Sequence, residues 1–156
     1  MRDGSPLWSI LGRHGKRVGI LNVPLTFPPE PVEGYMISGM DAPQGSSFTY
    51  PADLIGDLQT AVSGYQIDVD SSSSDEREYA GRILGLLNKR LDAFHYLLER
   101  YPDLDFLMAV FVAPDRLQHA FWKYLDPANP AYGLTKAALF RGAVEECYSR
   151  LDQLVG

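Results

Sequence analysis

The stretch Phe106-Leu107-Met108-Ala109-Val110-Phe111-Val112, followed at once by Ala113-Pro114-Asp115-Arg116-Leu117-Gln118-His119, decides the fold class of this 156-residue chain. The first half is an unbroken apolar run, which predicts a strand over 104–112 with both faces covered, as in a parallel α/β sheet. Function in open α/β sheets gathers at the carboxyl ends of such strands. A helix that begins near Asp115 places Asp115 and His119 one turn apart on one face, where both side chains can reach one cation.

A structural interpretation of the same two residues is also open. Asp115 follows Pro114 and precedes an amphipathic stretch, which makes it a good N-cap for a helix from Asp115 to Leu125. A single histidine on a short helix is usually packed or solvated. Because Asp-x-x-x-His uses two common residue types, the spacing alone does not separate a metal site from a capped helix.

Helices and strands are predicted to alternate along the rest of the chain. Helices are expected at 5–13, 51–62, 75–101 and 134–155, and strands at 17–23, 35–38 and 64–70. The strands at 17–23 and 104–112 are both apolar, so we expect them to be neighbours or near-neighbours in one parallel sheet. The apolar stripe of the long helix is expected to pack against that sheet. The predicted fold class is α/β, a mainly parallel sheet flanked by helices.

The segment 24–33 is predicted to be an ordered, irregular loop at the carboxyl end of the strand 17–23. Its four prolines cannot donate backbone hydrogen bonds, so it cannot continue the sheet. Loops in this position line clefts, and Asn22, Thr26 and Tyr35 are therefore candidates for a substrate pocket. Structural roles for these residues are the alternative.

Composition narrows the class of protein. A chain of 156 residues, 46% of them hydrophobic, makes a single domain the default expectation. Its net charge of −6 argues against a broad nucleic-acid surface. The single Cys147 allows no disulfide framework and is expected to be a buried apolar residue. No membrane segment is visible and residues 1–6 lack the apolar core of a signal peptide, so a soluble, cytoplasmic protein is expected.

Residues 113–124 resemble the Asp-x-x-Gln-His-x-x-Trp signature of the type I phosphodiesterase/nucleotide pyrophosphatase family, within the alkaline phosphatase superfamily. Residues 15–40 are similar to the strand and loop that precede this signature. Residues 48–51 and 67–70 fit the same pattern, so the resemblance covers nearly the whole chain. Pro114 departs from it, since a threonine or a similar small polar residue is expected before the aspartate.

The resemblance implies an alkaline phosphatase-like fold and the metal-dependent hydrolysis of phosphoric esters. Two zinc-like cations about 3.5–4 Å apart neutralise the phosphoryl oxygens and activate nucleophile and leaving group. Carried over by position, Asp115 and His119 are two ligands of one divalent metal, zinc by resemblance. Gln118 would support them or lie on the helix surface, and for Trp122 packing is favoured over stacking on a substrate. The implied substrate is small and phosphorylated, such as a nucleotide or phosphodiester.

A complete site is not expected within residues 1–156. A catalytic zinc needs about three protein ligands, and of the other histidines His14 is expected in an exposed turn and His95 at the edge of a helix stripe. The family's nucleophile and its Asp-His-Gly strand end have no counterpart here, so no catalytic residue is assigned. We interpret the chain as an incomplete internal portion of a larger catalytic domain. The alternatives are an inactive truncated or interaction module, or another hydrolase or mutase of the superfamily.

Overall fold

The computed structural model describes residues 4–40, 42–43, 45–69 and 75–156. Its elements in chain order are α1 (Leu7–Arg13), β1 (Val18–Val23), β2 (Gly34–Ser38), β3 (Thr49–Tyr50), α2 (Leu54–Ala61), α3 (Glu76–Arg100), β4 (Phe106–Ala109), α4 (Ala113–Leu125) and α5 (Leu134–Val155). The strands form one sheet in the order β3-β2-β1-β4. Strand β1 pairs in parallel with β2 and β4, while β3 runs antiparallel to β2. The α/β class and the parallel pairing of the two apolar strands are confirmed.

The chain divides into two compact units. The sheet unit comprises the described residues of 1–67 together with 92–110, and it contains the whole sheet. The helical unit comprises those of 68–91 together with 111–156, and it contains α4 and α5. Helix α3 passes through both, because its residues up to Leu91 belong to the helical unit and those from Asp92 to the sheet unit.

The core of the sheet unit lies on both faces of β1. Leu21, together with Tyr35 and Ile37 of β2, packs on one face with α2 and with Ala93 and Leu97 of α3. Val18 and Ile20 pack on the other face, where Trp8 of α1 covers them. Burial on both faces therefore belongs to β1 and to its neighbour β2, the two strands that are paired on both sides.

The expectation that 104–112 is a strand with both faces covered is wrong. Strand β4 is shorter than predicted and lies at the end of the sheet, and its Met108 side chain is 37% exposed. An apolar run gives the strand type but not its place in the sheet, because an edge strand beside a central one can be equally apolar.

Glycine at position 34 allows β1 and β2 to approach each other closely. Gly34 has φ +122°, and a Cβ added to it would lie 2.2 Å from the Val18 carbonyl oxygen. Gly34 is also the register partner of Val18, so the close approach lies at the first pair of the parallel ladder. No L-residue with a side chain fits this backbone conformation and this space.

In the helical unit, α4 and α5 pack with the first half of α3. Phe121 stacks on Phe140 with ring centroids 4.1 Å apart, and Ile83 and Leu87 of α3 join the same cluster with Leu117. The expectation that the whole α3 stripe packs against the sheet is therefore wrong for its first half. A stripe on a helix shows that a face is buried but does not identify what covers it.

Two further expectations need correction. The described part of 64–70 is not a strand, because side chains satisfy its backbone: Gln59 donates to the Tyr65 carbonyl at 3.2 Å, and the Val69 amide donates to Asp68 at 2.9 Å. Asp70 and Ser71 to Ser74 lie outside the described residues. The N-cap interpretation of Asp115 is also wrong, since α4 begins two residues earlier at Ala113. The other predicted helices and strands are confirmed with small shifts at their ends.

Candidate metal-binding face of helix α4

Helix α4 has a buried face and an open face. Leu117, Phe121 and Tyr124 are spaced four and three residues apart and form the buried stripe. The open face lines a surface depression with the side chains of Asp115, Gln118, His119 and Trp122. The helix follows β4 by a short connection, so the depression belongs to the element that the sequence places after a parallel strand.

Asp115 and His119 lie side by side on this open face. Their Oδ1 and Nε2 atoms are 3.3 Å apart, and the two side chains are 66% and 83% exposed. The spacing of one helical turn brings them together as the sequence predicted. Asp115 also lies in the first turn of α4, where the helix dipole favours a carboxylate. Both side chains are therefore accessible to a cation from solvent.

Asp115 and His119 are of the residue types that bind divalent cations, but two ligands are fewer than a catalytic metal site needs. Carboxylate oxygen and imidazole nitrogen are both ligands of zinc in proteins, and a catalytic zinc takes about three protein ligands. Over 4–40, 42–43, 45–69 and 75–156, no group of three or more histidine, cysteine, aspartate or glutamate side chains is arranged to hold a metal. The described residues thus contribute two ligands and not a complete centre.

The neighbours of the pair differ from each other. Gln118 donates through Nε2 to the Tyr148 hydroxyl of α5 at 2.6 Å, so its amide is oriented by a second helix. Trp122 is 58% exposed, and the expectation that it is packed is wrong. The adjacent Phe121 occupies the buried stripe, which leaves Trp122 on the open side with the pair.

Asn22 sits at a β-bulge and is buried, with both ends of its amide used by the protein. It interrupts the register between Leu21 and Val23 and adopts φ 56°, a left-handed conformation that asparagine tolerates better than most residues. Its Nδ2 donates to the Ser38 carbonyl at 3.2 Å, and its Oδ1 accepts from the Tyr65 hydroxyl at 2.6 Å.

Thr26 is also buried and closes the loop that follows β1. Its hydroxyl donates to the Val23 carbonyl at 2.6 Å and accepts from the Gly39 amide at 3.2 Å. The Ser38 hydroxyl donates to the Thr26 carbonyl at 3.0 Å. We call Asn22, Thr26, Ser38 and Tyr65 the buried polar network; it joins the carboxyl ends of β1 and β2.

Tyr35 lies away from the buried polar network. It pairs with Gly19 near the amino ends of the strands, and its ring is 4.9 Å from that of Tyr101. Its hydroxyl is buried without a hydrogen-bond partner, and burial raises the pKa of Tyr35 far above the ordinary tyrosine value. The structure brings Asn22 and Thr26 together but not Tyr35, and a substrate-lining role for the three stays a prediction.

Sequence reasoning missed the charged contacts around α4. Arg116, next to Asp115 in the chain, forms an ion pair with Asp68. Glu76 accepts from the Tyr124 hydroxyl and from Lys136, the latter at 2.8 Å. These partners are 48 to 60 residues apart, so no local pattern marks them.

Comparison with known families identifies the chain. A sequence model of the type I phosphodiesterase/nucleotide pyrophosphatase family matches residues 1–156. The chain belongs to this family. No curated protein and no solved structure gives a significant match.

Membership in this family agrees with the observed fold and indicates the type of reaction. The mainly parallel sheet with flanking helices is consistent with an alkaline phosphatase-like fold. Members of the family act on phosphodiesters and nucleotides, and they are generally metal-dependent. Among the helices of the described residues, none has the length and apolarity needed to cross a membrane.

Proposed function

We propose that this chain is part of a metal-dependent phosphoric ester hydrolase and that Asp115 and His119 bind one of its divalent metals, zinc. The observation that carries the proposal is the exposed pair on α4, 3.3 Å apart, within a chain that matches the phosphodiesterase family throughout. A structural pair would be expected to pack or to cap the helix. This pair does neither, since it is largely exposed and α4 begins at Ala113.

The metal would supply Lewis-acid activation and would neutralise charge on the phosphoryl oxygens. The two side chains have separate tasks in holding it. Asp115 would offset part of the positive charge of the cation, and His119 would present an imidazole nitrogen to it. Gln118, oriented by Tyr148, keeps a polar group beside the pair without adding charge.

We further propose that residues 1–156 are an incomplete internal portion of a single catalytic domain. Two ligands fall short of the three that a catalytic zinc takes, and two metals need roughly twice that number. The other ligands and the nucleophile would come from protein outside this segment. The substrate would be a small phosphodiester or nucleotide. The protein would be cytoplasmic, and fractionation of the native cells would check this location.

Zinc titration of the purified 156-residue protein tests the metal assignment. Calorimetry should detect weak binding that is lost in His119→Ala and reduced in Asp115→Asn. His14→Ala is the matched control, because His14 is also exposed but lies at the end of α1. Zinc binding that persists unchanged in His119→Ala would exclude the assignment.

Hydrolysis of bis(p-nitrophenyl) phosphate tests the proposal that residues 1–156 are an incomplete portion of the catalytic domain. The isolated chain should show no turnover above zinc alone, whereas a longer protein that supplies the remaining ligands and nucleophile should be active. In that longer protein, Asp115→Asn or His119→Ala should remove most of the turnover. Turnover by the 156-residue chain that disappears in His119→Ala would show that the chain, by itself or as an oligomer, completes the site.

A further inference from the structure

Trp122 shares one face of α4 with the Asp115–His119 pair. Successive helical residues are rotated by about 100°, so Trp122 falls within roughly 20° of Asp115 and 60° of His119 around the axis. Along the axis it lies about 4.5 Å beyond His119. The side chains of all three border the same depression. A ligand held by the pair therefore has an indole beside it.

The indole is available for a ligand. Trp122 is 58% exposed, whereas the protein's other tryptophan, Trp8, is buried and donates to Glu30 at 3.1 Å. The next residue, Lys123, is directed to Glu76 and to the ring of Tyr124, and Gln118 is held by Tyr148. Trp122 thus supplies the apolar surface of the depression, and its flat face complements a flat group.

We propose that Trp122 is a specificity-determining residue that stacks an aromatic ring joined to phosphorus through a single ester oxygen. The inference rests on the proposed function, because the phosphoryl group is placed at the metal held by Asp115 and His119. The axial separation of about 4.5 Å between His119 and Trp122 suits a ring linked through one atom. The preferred substrates are accordingly aryl esters of phosphoric acid.

The charged groups around the depression predict how a phosphate ester binds there. Asp115 contributes a carboxylate there, and the nearby basic groups Arg116 and Lys123 are paired with Asp68 and Glu76. A phosphate ester is therefore repelled unless a cation lies between it and Asp115. Binding should require zinc for every phosphate ester, whereas the preference for an aromatic ring should depend on Trp122 alone.

The test compares phenyl phosphate with cyclohexyl phosphate, which has a ring of similar size but no π face. In excess zinc, calorimetry on the 156-residue protein should give phenyl phosphate about three- to tenfold tighter binding. Trp122→Leu keeps an apolar side chain and should bind the two esters equally. Phenyl phosphate should also change the tryptophan fluorescence of the wild type but not of Trp122→Leu, in which Trp8 is the remaining tryptophan.

The outcomes separate the two proposals. Equal affinities of the wild type for the two esters, or no measurable binding of phenyl phosphate, would overturn the stacking inference. If both esters bind equally and still require zinc and His119, the proposed function stands and only the role of Trp122 is wrong. If removing zinc and substituting His119→Ala both leave ester binding unchanged, the proposed function is wrong, and the inference about Trp122, which rests on it, is wrong too.

Discussion

The buried polar network and the open face of α4 both follow parallel strands, yet they use polar side chains in opposite ways. In the network, both ends of the Asn22 amide and the hydroxyl of Thr26 bond to other parts of the sheet unit. On α4, Asp115 and His119 contact each other and are largely exposed. The first arrangement fixes a loop, and the second leaves ligand atoms accessible.

Polar residues at the carboxyl end of a strand can therefore be either structural or available to a ligand. Position at that end is shared by both regions and does not distinguish them. The remaining hydrogen-bonding capacity does, because a side chain whose groups already bond to protein has little left for a substrate. Measurements of stability can therefore test this contrast, since only the buried polar network should contribute much to the free energy of unfolding.

Asn22→Ala should have the largest effect. It removes the amide that bonds to the Tyr65 hydroxyl and to the Ser38 carbonyl and places alanine at φ 56°, so we expect a loss of about 2–4 kcal/mol in the free energy of unfolding. Urea denaturation measures it. Asn22→Gly accepts the backbone angle and should cost less. An alanine variant as stable as the wild type would show that the network is not structural.

Thr26→Val should come next. The substitution keeps the side-chain shape but removes the hydroxyl that bonds to Val23 and Gly39, and we expect a loss of about 1–2 kcal/mol in the same denaturation experiment. Thr26→Ser retains the hydroxyl and is the matched control. If Val and Ser variants lose the same stability, packing of the methyl group and not the hydrogen bonds would explain the effect.

Glu76→Gln tests a charged cluster of intermediate exposure. Hydrogen bonds from Lys136 and Tyr124 hold the pKa of Glu76 below its ordinary value. The ionised carboxylate therefore stabilises the fold above the ordinary pKa, and this contribution is lost as the pH falls through the lowered pKa. At neutral pH the variant should lose roughly 0.5–1 kcal/mol after allowance for solvent screening.

Denaturation at a series of pH values checks the sign of this effect. The difference between wild type and Glu76→Gln should shrink as the pH falls below the ordinary glutamate pKa and through the lowered pKa of Glu76. A difference that grows on acidification would mean that Glu76 does not titrate with a lowered pKa.

His119→Ala and Asp115→Asn should have the smallest effect. An exposed pair contributes little to folding, and we expect each change in the free energy of unfolding to stay within about 0.5 kcal/mol. Zinc binding should nevertheless be lost in His119→Ala and reduced in Asp115→Asn. Destabilisation as large as that of Thr26→Val would place the pair with the buried polar network and remove the contrast.

The fold was predictable from sequence where it depends on local pattern. Apolar runs gave β1 and β4 and their parallel pairing, and helical periodicity gave α3 and α5. Their surroundings were not predictable, because the same run suits a central or an edge strand and the same stripe packs on a sheet or on helices. The short strand β3 was missed, since two residues carry no periodicity.

The candidate site was predictable only along α4. The spacing of one turn was enough to place Asp115 and His119 together. Asn22 and Tyr35 were grouped because both lie near a loop, but the register of β1 against β2 places Tyr35 near the start of the strands and Asn22 near their end. The outward position of Trp122 depended on which residues α5 buries, a contact distant in sequence.

The glycine at position 34 also determines which pairing the two central strands can adopt. If β2 slipped by one residue along β1, Tyr35 would take the place of Gly34 opposite Val18, and at the φ of +122° that Gly34 adopts there its Cβ would meet the Val18 carbonyl oxygen. The slip would also turn the buried side chains of β2 to the opposite face. The missing side chain at position 34 thus favours the native alignment of the two strands over the nearest alternative.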